Sequence, residues 1–145
     1  HQAMAERKGI GLTLQGAEEL TIIADPNALH MCLQNLLRNA IKFTDQQGQI
    51  TISCYPQQRN GQVVVKDNGI GMEPQKIKQV YEHKLQESQV GTSGEIGTGL
   101  GLNITKELVE LQNGSIDIQS EPGQGTTVAL SIPLATYTHP GAPAP

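Results

Sequence analysis

Short segments that alternate apolar with polar residues occur in this chain as neighbouring pairs, and no other feature restricts the fold as much. Strands joined by a short link pair antiparallel, whereas parallel neighbours need a crossover. The first pair is Ile10–Leu14 and Leu20–Ile23. The second is Gln49–Tyr55 and Gln62–Lys66, joined by a loop around Arg59-Asn60-Gly61, in which Asn60-Gly61 is a hairpin signal. The third is Ser115–Ser120 and Thr126–Pro133, turned by Pro122-Gly123-Gln124-Gly125. Helical patterns separate the pairs. Asp25 can cap a helix that has Pro26 at its first position. Leu29, Leu33, Leu36, Leu37, Ala40 and Ile41 then share one face, and this helix is expected to end near Phe43-Thr44. Pro74 opens a short helix through Tyr81. Leu100, Ile104, Leu108 and Leu111 mark another, with Gly114 where a C-terminal cap is expected. The order predicts an α/β two-layer sandwich: a mixed, mostly antiparallel sheet with helices on one face.

Length and composition fit one globular domain. The chain has 145 residues, 37% apolar and 17% charged, and a net charge of −4. No basic run suggests a nucleic-acid surface, and no apolar run approaches the roughly 18 residues of a membrane span. Neither Cys32 nor Cys54 belongs to a CxxC motif or a Cys/His cluster, so two buried or half-buried thiols are expected. Residues 1–9 read as the end of a preceding helix or linker, 10–134 as the domain, and 135–145, with Pro140, Pro143 and Pro145, as a disordered tail. The polar stretch 83–97 lacks periodicity and reads as a mobile loop.

Three clusters carry chemistry. In Asn35-Leu36-Leu37-Arg38-Asn39-Ala40-Ile41-Lys42-Phe43-Thr44, residues Asn35, Asn39 and Lys42 share an arc of roughly 60° on the helix. Asparagine costs about 0.5 kcal/mol against alanine inside a helix. One would read as part of a solvated face; two in register with a lysine point to a site. An amide oxygen is a neutral, hard ligand suited to Mg²⁺, and Lys42 could meet phosphate charge. Arg38, beside this arc, reads as a solvated arginine. The second cluster, Asp67-Asn68-Gly69-Ile70-Gly71-Met72, follows a strand directly. It fits a carboxylate that accepts from an exocyclic amine, and it equally fits an ordinary Asp-Asn-Gly turn. The third, Gly97-Thr98-Gly99-Leu100-Gly101-Leu102, opens a helix whose N–H groups can hold an anion. A polar loop precedes it in place of a strand, which removes a dinucleotide-binding βαβ reading.

Taken in order, NLLRNAIKFT, DNGIGM and GTGLGLNI resemble the N, G1 and G2 boxes of the histidine kinase catalytic domain, a member of the GHKL superfamily with the Bergerat ATP-binding fold. The resemblance runs from about Gly11 to Leu134. It implies an ATP-dependent protein histidine kinase with ATP and Mg²⁺ as cofactors. By position, Asn39 resembles the Mg²⁺-binding asparagine, Asn35 its polar support one turn earlier, and Lys42 a phosphate contact. Asp67 resembles the reader of the adenine amine, with Gly69 and Gly71 shaping the pocket. Gly97, Thr98, Gly99, Leu100, Gly101 and Leu102 correspond to the lid hinge and phosphate segment, and Thr126 to a threonine of the adenine-site water network. The F box, usually two phenylalanines around a proline, is replaced by Val80-Tyr81-Glu82-His83-Lys84-Leu85-Gln86, a departure that bears on lid packing.

The resemblance implies a cytoplasmic domain, whether or not the parent is membrane-anchored. Its partners would be its own dimerisation and histidine-phosphotransfer domain and a response regulator receiver domain, with no nucleic acid and no direct membrane contact. None of the four histidines suits the role of phosphoacceptor. Two other readings stand beside this one. A hydrolase or serine kinase of the superfamily would place a glutamate where this chain has Asn35. A non-catalytic nucleotide-binding or partner-binding module, a pseudokinase, would tolerate the altered F box.

Overall fold

The computed structural model describes residues 2–16, 21–82, 91–93 and 101–134. One sheet has the strand order β1-β2-β3-β5-β4, with β1 at Gly11–Gly16, β2 at Gln49–Gln57, β3 at Asn60–Asp67, β4 at Ser115–Glu121 and β5 at Gly125–Pro133. β1 runs parallel to β2 and the other neighbours are antiparallel, so the sheet is mixed and mostly antiparallel, as expected. Alternation dictates which face is covered. Ile50, Val63, Val65, Val128, Leu130, Ile132, Ile116 and Ile118 point to one side and are buried. They pack with Cys32, Leu36, Ala40 and Ile41 of α2 (Pro26–Phe43), Val80 of α3 (Pro74–Tyr81), and Leu102 and Val109 of α4 (Gly101–Leu111). A short helix α1 (Gln2–Lys8) precedes β1. Among the described residues no helix is long and apolar enough to cross a membrane.

Several local expectations are corrected. The segment read as a second strand, Leu20–Ile23, is reduced among the described residues to one bridge, Ile22 to Leu134. β3 and β4 already flank β5, and only the end of β5 beyond Ser131, the partner of Ser115, is free to pair before Asp25 turns the chain into α2. Asp25 does cap that helix, accepting from Asn27 N–H at 2.9 Å. The second hairpin turns at Gln58-Arg59, and Asn60 already pairs with Gln57. The buried partners Ile52↔Val65 and Cys54↔Val63 set that register, and Gln58 accepts φ +54° as the consequence.

On α4 the stripe Ile104-Leu108-Leu111 is not the buried face. Leu102, Thr105, Lys106 and Val109 are buried, while Ile104 and Leu111 are exposed. Both rows are apolar enough to qualify, and the contact with α2 selects one of them. At the end of α4 the left-handed residue is Asn113, φ +61°. Gly114 serves a close approach, since a Cβ there would lie 2.3 Å from the Ser131 carbonyl oxygen.

Candidate functional site

α2 brings the first group of residues together. Its leucine face is buried, which leaves Asn35 and Asn39 half-buried on the adjoining surface. The first residue of α4 lies against them: a Cβ built on Gly101 would sit 3.6 Å from Asn39 Nδ2 and 3.9 Å from Asn35 Cβ. The metal-type amide and the N-terminal end of α4 are therefore neighbours. Lys42 is buried, with its ammonium 4.9 Å from the Phe43 ring centroid. Arg38 is exposed. Leu102 is in the hydrophobic core. Gly97, Thr98, Gly99 and Leu100 lie outside the described residues, as does the loop expected from 83 to 97, Leu85 included, except for residues 91–93.

The second group sits at the end of β3. Asp67 is buried, and its Oδ1 accepts from Gly69 N–H at 2.8 Å and from Thr126 N–H at 3.1 Å. Among the described residues nothing bonds Oδ2. Burial pushes the Asp67 carboxyl above its ordinary range, and the two N–H bonds pull it part of the way back. Such a carboxylate offers one fixed oxygen and one open acceptor. It lines an open cleft of about 520 Å³ with Ile77, Ile118, Ser120 and Gly125.

The glycine segment after β3 packs on the end of α2. The Phe43 carbonyl accepts from Ile70 N–H at 3.0 Å, and a Cβ on Gly69 would lie 2.1 Å from that same oxygen. Only glycine permits that approach. Gly71 takes φ +73° and packs on the β4–β5 turn, where a Cβ would lie 2.0 Å from the Glu121 carbonyl oxygen. The cleft does not reach Asn39 or Gly101, which form their own cluster across the α2 end.

Residues that sequence reasoning missed complete the frame. Ser120 accepts from Met72 N–H at 2.8 Å and pins the glycine segment to β4. A polar residue at the inward position after Ile116 and Ile118 was a readable signal. Lys8 is buried, and its Nζ donates to the carbonyls of Ile41 at 2.8 Å and Lys42 at 3.1 Å and to Thr92 Oγ1 at 2.6 Å. Nothing in the polar pattern of α1 marks it. Tyr81, in the altered F box, accepts from Ile118 N–H at 2.9 Å on the edge strand β4. That bond fixes the end of α3 and blunts an exposed sheet edge.

The sequence pattern of the family described as histidine kinase-, DNA gyrase B-, and HSP90-like ATPase matches residues 24–136. The chain belongs to this family. Family members with similar sequences include sensor protein SrrB of Staphylococcus aureus (strain MRSA252), 32% identical over 133 residues, which are 92% of this chain and 23% of that protein. The chain thus spans about a quarter of the length of these relatives. Full-length ShkA in complex with AMPPNP is similar at TM-score 0.74 and 29% identity, over 95% of this chain and 28% of ShkA. The mycobacterial sensor histidine kinase MprB shares the fold at TM-score 0.76 and 24% identity, over 92% of this chain and 88% of that one. The family's fold accounts for the mixed sheet.

Proposed function

We propose that this chain is the ATP-binding catalytic domain, residues 10–134, of a two-component sensor histidine kinase. It would transfer the ATP γ-phosphate to a histidine on a separate dimerisation domain, from which a response regulator receiver domain takes it. Asp67 carries the reading: a buried carboxylate at a strand end with one oxygen tied and the other open, which suits the exocyclic amine of adenine.

Phosphoryl transfer asks the protein mainly for position and charge neutralisation. Thr126 N–H and Gly69 N–H hold Asp67 for the purine. Asn39, beside the first residue of α4, would bind Mg²⁺, with Asn35 supporting it. Among the described residues no three His, Cys, Asp or Glu converge. A cation that takes one or two protein ligands and fills its shell with phosphate and water fits that donor set. When bound, Mg²⁺ would neutralise phosphate charge. Lys42 is placed near the same end of α2 as a further cation. A water-activating glutamate is missing at position 35, which disfavours the hydrolase reading. Such a reaction with such partners would make the domain cytoplasmic.

Titration with a non-hydrolysable ATP analogue tests this. Binding is expected, strengthened about tenfold by Mg²⁺. Asn39→Ala should abolish that Mg²⁺ enhancement while the far-ultraviolet circular dichroism stays unchanged. With ATP, the isolated chain should label itself poorly and should label an added dimerisation domain bearing the acceptor histidine. Absence of analogue binding would favour a non-nucleotide partner module, and rapid ATP turnover by the chain alone would favour the hydrolase reading.

A further inference from the structure

Ser120 lies opposite Thr126 on the inner face of the β4–β5 pair. Three groups converge on its Oγ. Met72 N–H is 2.8 Å away, the Gly125 carbonyl oxygen 3.0 Å, and Thr126 Oγ1 2.8 Å. The amide can only donate and the carbonyl can only accept. A serine hydroxyl carries one proton, and the carbonyl takes it. The arrangement that satisfies every group then has Thr126 giving its own proton to Ser120. Among the described residues nothing else bonds Thr126 Oγ1, so lone pairs alone remain there. Its neighbour Asp67 is likewise an acceptor, held by Thr126 N–H at 3.1 Å.

We infer that Ser120 is a specificity-determining positioning residue: by accepting a hydrogen bond from the Thr126 hydroxyl, it leaves Thr126 Oγ1, beside Asp67, an acceptor only. A 6-aminopurine presents an N–H donor that these acceptors can take directly. A 6-oxopurine puts an oxygen in the same place, where it meets lone pairs with no donor between them. The inference rests on the adenine reading of Asp67 and adds the residue that sets the polarity of its neighbour. Ser120 itself borders the cleft, and in this scheme its effect on the purine edge passes through Thr126.

Calorimetric titration of the full chain with adenosine diphosphate and inosine diphosphate, both with Mg²⁺, is the test. The wild type should prefer the adenosine nucleotide. Ser120→Ala frees the Thr126 proton to donate, and the preference should fall roughly tenfold. Adding Thr126→Val to Ser120→Ala removes that donor, and most of the preference should return. A purely architectural serine would weaken both nucleotides alike, and Thr126→Val would restore nothing. An unchanged preference in Ser120→Ala therefore overturns the inference. Should that variant fail to fold, Ser120→Cys keeps the volume with a much weaker acceptor and should show the same drop; an unchanged preference there overturns it equally. Wild-type binding without preference, or binding of neither nucleotide, removes the adenine reading on which the inference stands, whereas a wild-type preference that Ser120→Ala leaves unchanged overturns the inference alone.

Discussion

Asp67→Asn is expected to weaken binding of an ATP analogue about 100-fold while leaving the melting temperature unchanged or slightly higher. The two effects have opposite origins. An asparagine oxygen can keep the Gly69 and Thr126 N–H bonds that Oδ1 now accepts. Its NH₂ then occupies the open position and meets the purine amine donor to donor. Stability responds differently, because burial raises the Asp67 carboxyl above its ordinary 3.8, more than the two N–H bonds lower it. A carboxyl with a raised folded pKa binds its proton more tightly in the folded chain. Its contribution to stability is therefore present below the unfolded pKa and is lost as pH rises through the folded one. At neutral pH the buried charge is a net cost, and a neutral amide removes it. Nucleotide binding requires the ionised form, so in the wild type it should decline as pH falls through that raised pKa, and the decline should vanish in the variant. Calorimetry across pH with a parallel thermal melt separates the two signs. Undiminished analogue affinity in Asp67→Asn would remove the adenine assignment.

The parts of this molecule legible in the sequence are those where one local rule meets no competitor. The helix 26–43 is readable because Asp25, Pro26 and the leucine spacing agree, and the second and third strand pairs because alternation matches the buried face, whereas in β1 the alternating Leu12 and Leu14 stay exposed. Where two local rules compete, tertiary packing decides. Asn60-Gly61 is the better turn dipeptide, yet the pairing of Val63 and Val65 with Cys54 and Ile52 moves the turn to Gln58-Arg59. Two apolar rows run along α4, and only the contact with α2 chooses between them. The candidate site divides in the same way. Asn35, Asn39, Asp67 and the glycines were readable because each is a poor choice for its element unless something else requires it. Ser120 and Lys8 escaped because their meaning lies in partners far along the chain: Ser120 reaches Met72, and Lys8 reaches Ile41, Lys42 and Thr92. Alternation marks Ser120 as an inward polar residue, but no periodicity names the partner of either side chain.

Lys8→Met should lower stability by about 3 kcal/mol and the melting temperature by about 10 °C. The last turn of a helix leaves carbonyls without intrahelical partners, and its end carries partial negative charge. In α2 the buried ammonium of Lys8 meets both needs, donating to the carbonyls of Ile41 and Lys42. It also bonds Thr92 Oγ1, while Thr92 N–H donates to the Lys42 carbonyl at 2.9 Å and Thr92 Oγ1 to the Thr44 carbonyl at 2.9 Å. Methionine matches the length and apolar stem of lysine but supplies no donor. The Lys42 carbonyl would keep Thr92 N–H, and the buried Ile41 carbonyl would lose its side-chain donor. Desolvated acceptors stripped of a charged partner account for the size of the effect. Lys78→Met is the fitting comparison, because Lys78 is an exposed lysine 3.8 Å from Glu82 in an i,i+4 pair, with the two side chains 69% and 37% exposed. Its loss should stay within about 0.5 kcal/mol. Thr92→Val should fall between the two, at about 1 kcal/mol, because it deletes one hydroxyl and spares the N–H bond. Equal denaturant midpoints for Lys8→Met and Lys78→Met would show that α1 does not brace the end of the helix that carries Asn39 and Lys42.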